Sequence, residues 1–208
     1  MRKLQLLAVA LFATTLAFAQ PEKGNIFLNG SLNFNTGSSS TDVGGTSTDG
    51  PSSFNLGITP KVGYFITDKI VVGLDLGFAM ANSKDESGAA EVKTNGLSFG
   101  GGAFARYYMM PADHFAMFFE AGLNTSFGSS SVETAGNSVD GPSTFALNAG
   151  ITPGMSIYVS KKIALEANYG FLGYTSSSSE IGGVKTSQGN FGLNLNPNTI
   201  RLGVSVLF

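Results

Sequence analysis

Apolar and polar side chains alternate with a period of two along most of the chain from Asn25 onward. In the first such segment Ile26, Leu28 and Leu32 have one parity, while Asn29 and Ser31 have the other. A period of two is that of a β-strand with one apolar face, whereas an amphipathic helix repeats every 3.6 residues. The sequence therefore predicts an all-β fold.

The alternation occurs in eight segments that are separated by turn residues. The apolar faces run through residues 26–34, 54–64, 70–78, 97–107, 115–123, 145–157, 163–171 and 200–208. Before the last segment Phe191, Leu193 and Leu195 have odd numbers, while the apolar residues of 200–208 have even numbers. We therefore predict eight strands, with a bulge at Asn196-Pro197-Asn198 where the parity changes.

The connections between these segments are of two kinds. Residues 67–69, 111–113 and 160–162 form tight turns, and four long connections rich in Ser, Thr and Gly separate the other segments. The long connections are residues 36–52, 82–94, 128–143 and 176–188. Because tight and long connections alternate, an antiparallel up-and-down arrangement places every tight turn at one end of the sheet and every long loop at the other.

Short motifs recur in the two halves of the chain. The sequence Asp-Gly-Pro-Ser occurs at 49–52 and 140–143, and Gly-Ile-Thr-Pro occurs at 57–60 and 150–153. A shared register over several motifs favours a duplicated four-strand unit. The alternative is convergent turn chemistry, which explains isolated motifs better than a common register.

The polar face of the strands decides which side of a barrel faces water. Only 12% of the residues are charged, against about 25% in soluble domains, and the polar face consists mostly of Asn, Ser, Thr and Gly. A soluble barrel with an apolar lumen would expose this nearly uncharged face, whereas a transmembrane barrel encloses it and turns the apolar face to lipid. We therefore predict an eight-stranded antiparallel transmembrane β-barrel, closed because an open edge in lipid leaves backbone groups unpaired.

Aromatic residues are concentrated near both ends of the predicted strands. Those next to the long loops are Phe34, Phe54, Phe78, Phe99, Phe127, Phe145 and Phe171, and those near the tight turns are Tyr64, Tyr107, Phe115, Tyr158 and Phe208. Two aromatic girdles that flank an apolar band are typical of the two interfaces of a bilayer.

The first residues have the pattern of a secretory signal peptide. Arg2 and Lys3 precede an apolar stretch over residues 4–16, and Ala17-Phe18-Ala19 provides small residues for cleavage. A membrane-spanning helix would need about 20 apolar residues, and Gln20 and Pro21 end the run earlier. We predict a signal peptide over residues 1–19 and one barrel domain over residues 20–208.

With these features the sequence resembles the small eight-stranded outer-membrane barrels of the OmpA-like and OmpX-like group. The resemblance implies the outer membrane of a Gram-negative bacterium, periplasmic termini and extracellular long loops. It implies outer-membrane lipid and lipopolysaccharide as surroundings, and the barrel-assembly machinery as a partner that reads the terminal Phe208. Larger members carry a peptidoglycan-binding domain, which we do not expect beyond Phe208.

Inward parity selects six charged residues for the lumen of the predicted barrel. They are Lys61, Asp75, Arg106, Glu120, Glu166 and Arg201. Lys61 and Asp75 lie symmetrically about the 67–69 turn, so we expect them to face each other across one hairpin. Equal numbers of acids and bases indicate mutual pairing; the alternative is a charge gate that admits water or ions.

Several functional classes find little support in the sequence. The net charge of −2 excludes a basic nucleic-acid surface, and zero cysteines exclude thiolate metal sites and cysteine nucleophiles. The single histidine, His114, lies in a tight turn without a predicted nucleophile beside it. We therefore expect no cofactor, no metal and no catalytic residues. A structural envelope role is our first interpretation, loop-mediated recognition of an unknown extracellular ligand the second and a narrow pore the third, with an outer-membrane enzyme last.

Overall fold

A computed structural model describes residues 21–43, 45–86, 91–196 and 199–208, so the predicted signal peptide lies outside the described residues. The strands are β1 (Ile26–Val43), β2 (Thr46–Thr67), β3 (Ile70–Asp85), β4 (Val92–Ala112), β5 (Phe115–Thr134), β6 (Asn137–Tyr158), β7 (Ile163–Asn168), β8 (Phe171–Ile181), β9 (Val184–Asn194) and β10 (Arg201–Leu207). No helix in these ranges is long and apolar enough to cross a membrane.

The strands close into a ring, which confirms the predicted antiparallel barrel. Strands β1 to β6 pair consecutively, β7 pairs with β6 and β10, and β10 pairs with β1. The closing register runs from Phe27 opposite Leu207 to Leu32 opposite Leu202. The ring has eight strand positions. β7 and β8 together occupy the position of the seventh predicted strand, and β9 and β10 together occupy that of the eighth.

Strand parity separates the two surfaces of the barrel as predicted. Leu74 is 62% exposed on the outer surface, whereas the neighbouring Asp75 is 7% exposed in the lumen. Asn29 and Ser31 are likewise buried inside. The outer band is apolar and the inner wall carries the polar side chains, as transmembrane barrels require.

A bulge at Gly170 interrupts the seventh strand and reverses its parity. Gly154 pairs with Asn168, but Ile151 pairs with Leu172, so the strand contains one more residue than its neighbour between the two pairs. Gly170 adopts φ 81°, a left-handed conformation that glycine accommodates readily. The prediction that Phe171 belongs to the outer girdle is wrong. The extra residue reverses the parity of the strand, so the Phe171 ring faces inward, next to Gly150 and Gly173.

The eighth strand is also interrupted, and a break in the wall follows. Leu193 of β9 and Leu202 of β10 are both exposed on the outside despite their opposite parity, which agrees with the change predicted at 196–198. Pro197 and Asn198 themselves lie outside the described residues. The pairing of β1 with β10 ends at Leu32, and β9 pairs with β8 alone among the described strands. We call this break between β1 beyond Leu32 and β9 the β1–β9 gap.

The long loops predicted from composition are mostly paired strands, so their predicted bounds are wrong. β1 continues to Val43 and β2 begins at Thr46, and β5 and β6 are separated only by residues 135 and 136. Backbone pairing needs no apolar side chain, and Ser- and Thr-rich segments above the apolar band therefore continue as hairpins.

The two Asp-Gly-Pro-Ser segments form matching bulges. Ser39 Oγ donates to the carbonyl of Pro51 at 3.3 Å, and Ser130 Oγ donates to that of Pro142 at 3.1 Å. Both bulges shift the register of their hairpin at equivalent positions. A Cβ at Gly141 would lie 2.6 Å from Ser130 Oγ, so the close approach explains the glycine.

Candidate functional site

Arg106 on β4 is the centre of a buried ionic cluster in the lumen. Its Nη2 lies 2.7 Å from Glu120 Oε2 on the adjacent β5, and its Nη1 lies 2.8 Å from Glu166 Oε2 on β7. The Nε atom donates to Glu120 Oε2 at 3.0 Å. Arg106 itself is 1% exposed, so its charge depends on these two carboxylates for compensation.

Glu166 accepts hydrogen bonds from three further strand positions of the wall. Asn29 Nδ2 on β1 donates at 3.0 Å, Ser156 Oγ on β6 at 3.2 Å, and Tyr108 Oη on β4 at 3.4 Å. The donors include groups that sequence parity did not select as site residues. Because one carboxylate joins strands from opposite parts of the ring, the cluster holds the wall together across the lumen.

Lys61 and Asp75 occupy the positions predicted for them but bind other partners. They are opposite each other in the β2–β3 register, yet Lys61 Nζ forms its ion pair with Glu120 Oε1 on β5. Asp75 Oδ1 accepts a hydrogen bond of 2.6 Å from Asn124 Nδ2. The prediction of the register is confirmed. The implied contact between the two charged groups is wrong, because both side chains bind residues of β5 instead.

The end of the lumen near the tight turns is filled by an apolar layer that the sequence reading missed. It consists of Phe27, Phe65, Val71, Phe104, Tyr108, Ala116, Phe118, Tyr158, Ala164 and Leu207. We call these residues the lumen plug. Tyr158 was predicted in the outer girdle, but its parity on β6 is that of the buried Ser156, and it is 5% exposed inside. Aromatic residues at inward parity in several strands were the signal that could have identified this layer.

The plug and the ionic cluster are in direct contact. The guanidinium carbon of Arg106 lies 3.9 Å from the ring centroid of Phe118 and 5.0 Å from that of Phe27. Lys61 Nζ lies 5.0 Å from the ring centroid of Phe104. Cation–π contacts of this kind are favourable where water is excluded. Every buried side-chain nitrogen and oxygen of the described residues has a hydrogen-bond partner.

Arg201 differs from the other five predicted lumen charges. It begins β10 opposite the buried Asn168 and is exposed. Among the described residues it takes part in none of the ion pairs. The structure therefore brings Lys61, Arg106, Glu120 and Glu166 into one cluster, holds Asp75 by an amide beside it, and leaves Arg201 outside, so the prediction that Arg201 is a buried charge is wrong.

A second group of charges lies on the hairpin end of β3 and β4, beyond the apolar band. Glu91 contacts Lys93 at 2.5 Å and Lys84 at 2.9 Å, and Lys84 also contacts Glu86 at 2.6 Å. Hydrogen bonds from Lys93 and Lys84 lower the pKa of the Glu91 carboxyl to about 2. Hydrogen bonds to Glu86 and Glu91 raise the pKa of Lys84. The side chains of these groups are exposed to solvent, so the cluster is not an enclosed site.

Phe208 is fixed at the closing seam of the ring. Its backbone N–H donates to Ile26 O at 3.0 Å, and the Ile26 N–H donates to Phe208 O at 2.9 Å. The ring is 60% exposed on the outside, and Lys162 Nζ lies 5.8 Å from its centroid. The described residues contain no group of three or more histidine or acidic side chains placed to hold a metal ion.

Several solved structures of other proteins are similar to this chain. Neisserial surface protein A is 18% identical, with 89% of this chain and 98% of that chain covered and a TM-score of 0.40. Ail, the attachment invasion locus protein of Yersinia pestis, is 16% identical, with coverages of 89% and 99% and a TM-score of 0.43. OprG from Pseudomonas aeruginosa is 15% identical, with coverages of 91% and 99% and a TM-score of 0.45.

No curated protein matches the chain in sequence. Residues 5–208, in contrast, match the family described as "Outer membrane protein beta-barrel domain". This match covers all of the strands and the lumen cluster described above. The chain therefore belongs to the outer-membrane protein β-barrel domain family.

Proposed function

We propose that this protein is a structural component of the outer membrane, a barrel closed to axial flow and without catalytic activity. In this proposal its tight turns and termini face the periplasm, its long hairpins face the cell exterior, and outer-membrane lipid and lipopolysaccharide surround it. The observation that carries the proposal is the obstruction of the lumen. Arg106, nearly inaccessible to solvent, lies against the plug residues Phe27 and Phe118 and binds two carboxylates.

An eight-stranded barrel has an interior just wide enough for its own side chains. An ion that passed along the axis would have to displace Arg106 from Glu120 and Glu166 and also separate the aromatic rings below it. Breaking a buried ion pair leaves uncompensated charge and costs about 3–5 kcal/mol. A closed resting state is therefore favoured over a permanent pore.

Electrical recording from the purified barrel in planar lipid bilayers tests this proposal. We expect no reproducible unitary currents from the wild type. We also expect none from a Lys185→Ala control, which changes an exposed residue of β9. Unitary currents that change in Lys61→Ala but not in Lys185→Ala would show that the lumen conducts ions and would overturn the proposal of a closed lumen.

The envelope role is tested with a deletion strain. This strain is expected to become more sensitive to detergent and to recover its resistance when the wild-type gene is restored.

Recognition by the hairpins is the second candidate function, and the continuous pairing of those hairpins favours it. β8 and β9 remain paired from Phe171 and Asn194 to Ile181 and Val184, so their outer part presents an ordered surface. Ser177 and Gln188 are opposite each other, and a tight turn joining them shortens the hairpin without changing the register. Adhesion of cells with this shortened variant is expected to fall; adhesion equal to that of the wild type would count against recognition.

We further propose that Phe208 is the signal read by the barrel-assembly machinery. Its ring projects from the outer surface next to the closing seam, where an assembly partner can reach it. Phe208→Ala is expected to lower the amount of folded protein in the outer membrane, while Phe208→Tyr retains the ring and most of the assembly. Normal membrane levels of Phe208→Ala would contradict this role.

A further inference from the structure

The outer surface of β3 and β4 carries an apolar groove of about 630 Å³, bordered by side chains of β2 and β5. Its lining includes two pairs of residues that are opposite each other in the β3–β4 register, Phe78 with Phe99 and Met80 with Leu97. All four side chains are exposed on the lipid-facing surface. Pockets that hold small ligands have volumes of about 300–1,000 Å³, so the groove is large enough to take up an acyl chain.

The same face of β3 and β4 changes from apolar to polar beyond the groove. Asn82 is opposite Asn95, and Lys84 is opposite Lys93. Residues two apart on a strand share a face, so both pairs continue the outer row of the groove. With a rise of about 3.4 Å per residue, the lysine pair lies about 14 Å beyond the nearest groove residues. The two amides between them are exposed and form no hydrogen bond within the described residues.

Carboxylates follow the lysines at the end of this row. Glu86 lies two residues after Lys84, and Glu91 lies two residues before Lys93. Both carboxylates contact these lysines, and all four side chains are partly exposed. Glu133 of β5 is also opposite Lys93, so carboxylates outnumber lysines here. The order along the face is therefore apolar groove, two amides, two ammonium groups and then carboxylates.

We propose that this face of β3 and β4 binds a glycerophospholipid with an ethanolamine headgroup. An acyl chain packs in the groove, and the amides of Asn82 and Asn95 donate to the ester carbonyls. The phosphate binds the two lysines, and the primary ammonium donates to Glu86 and Glu91. The inference rests on the lipid surroundings of the proposed function but not on the closed lumen, because the face lies on the outside of the barrel.

The lipid class follows from the order and sign of these groups. Acyl chain, ester, phosphate and ammonium follow one another in the lipid as their partners do along the two strands. An anionic headgroup such as phosphoglycerol would meet the carboxylates without a cation to offer them. A choline headgroup has no N–H to donate, whereas charge-assisted hydrogen bonds are roughly twice as strong as neutral ones. A primary ammonium therefore matches the carboxylates best.

Fluorescence quenching by brominated lipids measures binding at this face. The chain contains no tryptophan, so a single introduced tryptophan reports on the lipid beside it. Leu76→Trp lies on the outer surface of β3 next to the groove, and Leu165→Trp lies on the outer surface of β7, four strands from β3 in either direction. Each full-length barrel is reconstituted into dioleoylphosphatidylcholine vesicles that contain the dibrominated form of one phospholipid.

Brominated phosphatidylethanolamine is expected to quench Leu76→Trp with a relative binding constant about threefold above that of phosphatidylcholine, the effect of an exposed ion pair. It is also expected to exceed phosphatidylglycerol at this position. At Leu165→Trp the phosphatidylethanolamine and phosphatidylcholine constants should be equal. Heat-modifiable gel mobility establishes that each variant is folded.

Variants in the Leu76→Trp background identify the partner of the ammonium. The double variant Glu86→Gln/Glu91→Gln is expected to abolish the preference for phosphatidylethanolamine over phosphatidylcholine and to raise quenching by phosphatidylglycerol, because the lysines then lack carboxylates. Glu91→Asp retains the charge and should retain most of the preference. Glu180→Gln removes an exposed carboxylate of β8 and should have no effect.

Three results would overturn the proposal. One is equal quenching of folded Leu76→Trp by phosphatidylethanolamine and phosphatidylcholine, which would assign the groove to the general lipid-facing surface. Another is stronger binding of phosphatidylglycerol than of phosphatidylethanolamine, which would show a site for anionic lipid. The third is a preference for phosphatidylethanolamine that the folded double variant retains in full. None of these readouts depends on ion flow, so they are independent of the bilayer recordings that test the closed lumen.

Discussion

Lys61 and Asp75 are directly opposite each other across the β2–β3 hairpin, yet the lysine binds Glu120, which is three strands away on β5. The pairing of adjacent strands fixes the positions of the two Cα atoms. The interior is narrow, however, so long side chains can also contact residues of strands that are not their neighbours. Asp75 is satisfied by the Asn124 amide instead. Pairing inside this barrel is therefore set by the three-dimensional arrangement of the strands and not by hairpin neighbours alone.

A double-mutant cycle is expected to reproduce this choice of partner. Lys61→Met and Glu120→Gln should show a coupling free energy of about 0.5–3 kcal/mol, the range for residues in direct contact. Lys61→Met and Asp75→Asn should show a smaller coupling, because the two side chains bind different partners. Urea unfolding in lipid vesicles measures both cycles; a larger coupling for Lys61 with Asp75 would show that the hairpin pair forms.

Removal of the central guanidinium is expected to destabilise the barrel strongly. Arg106→Ala leaves Glu120 and Glu166 buried without their shared cation, which costs about 3–5 kcal/mol of unfolding free energy. Lys93→Ala removes a solvated ion pair of the β3–β4 hairpin and should leave the urea midpoint unchanged. Equal midpoints for the two variants would mean that water reaches the lumen cluster.

Two glycines on the same face of β3 are expected to respond oppositely to alanine. A Cβ at Gly73 would lie 2.1 Å from the Val62 carbonyl and 2.9 Å from the Phe104 ring, whereas one at Gly77 meets nothing within 4 Å. Gly73→Ala should lower the unfolding free energy by about 1–3 kcal/mol through overpacking. Gly77→Ala should be neutral or stabilising by up to about 1 kcal/mol, and similar losses for both would contradict the close packing at the plug.

The bulge that reverses the seventh strand depends on the conformation of Gly170. Gly170→Ala places a Cβ at a positive φ and 2.9 Å from Leu195 Cδ2, which should cost about 1–3 kcal/mol. Gly170→Asn is expected to lose less, because asparagine tolerates the left-handed region better than alanine. Unfolding free energies measured side by side test the order; alanine performing as well as asparagine would argue against this cause.

The Glu91 carboxylate is expected to titrate far below its ordinary range. Its pKa of about 2 results from hydrogen bonds with Lys93 and Lys84. The interaction is present above the ordinary glutamate pKa and is lost as the pH falls through the lowered one. Carbon-detected NMR titration should give a midpoint near 2, and Lys93→Gln should raise it. A midpoint near 4.5 in the wild type would show that the hairpin charges are not paired.

The architecture could be predicted from the sequence because apolar and polar side chains alternate with a period of two in every predicted strand. The alternation around Leu74 and Asp75 correctly predicts which wall faces lipid, and the odd parity of Leu193 correctly predicts a change before β10. The single extra residue at Gly170 could not be predicted from the sequence. Leu165 and Phe171 both have odd numbers, which places them on one face by parity, although the bulge between them turns Phe171 to the other face. One-residue insertions leave composition unchanged and appear only when neighbouring strands fix the register.

The contacts inside the lumen were harder to predict from the sequence than the strands. Parity selected Arg106, Glu120 and Glu166 correctly as buried charges, but not their neutral partners Asn29 and Ser156, which many polar positions resemble. The plug was missed because aromatic residues near a strand end fit both an interfacial girdle and a packed interior. Only the tilt and closure of the ring determine which inward side chains meet across the lumen.

The reciprocal hydrogen bonds between Ile26 and Phe208 join the first and last strands of the ring, and this has a consequence for biosynthesis. No portion of the chain that lacks β10 can complete the ring, because β1 pairs with β10 on one side and with β2 on the other. Until β10 pairs, β1 and β7 retain open edges, which invite pairing with other chains. Closure joins strands that are far apart in the sequence, a topology associated with slow folding, and the unclosed chain must therefore be kept apart from its copies until the ring closes.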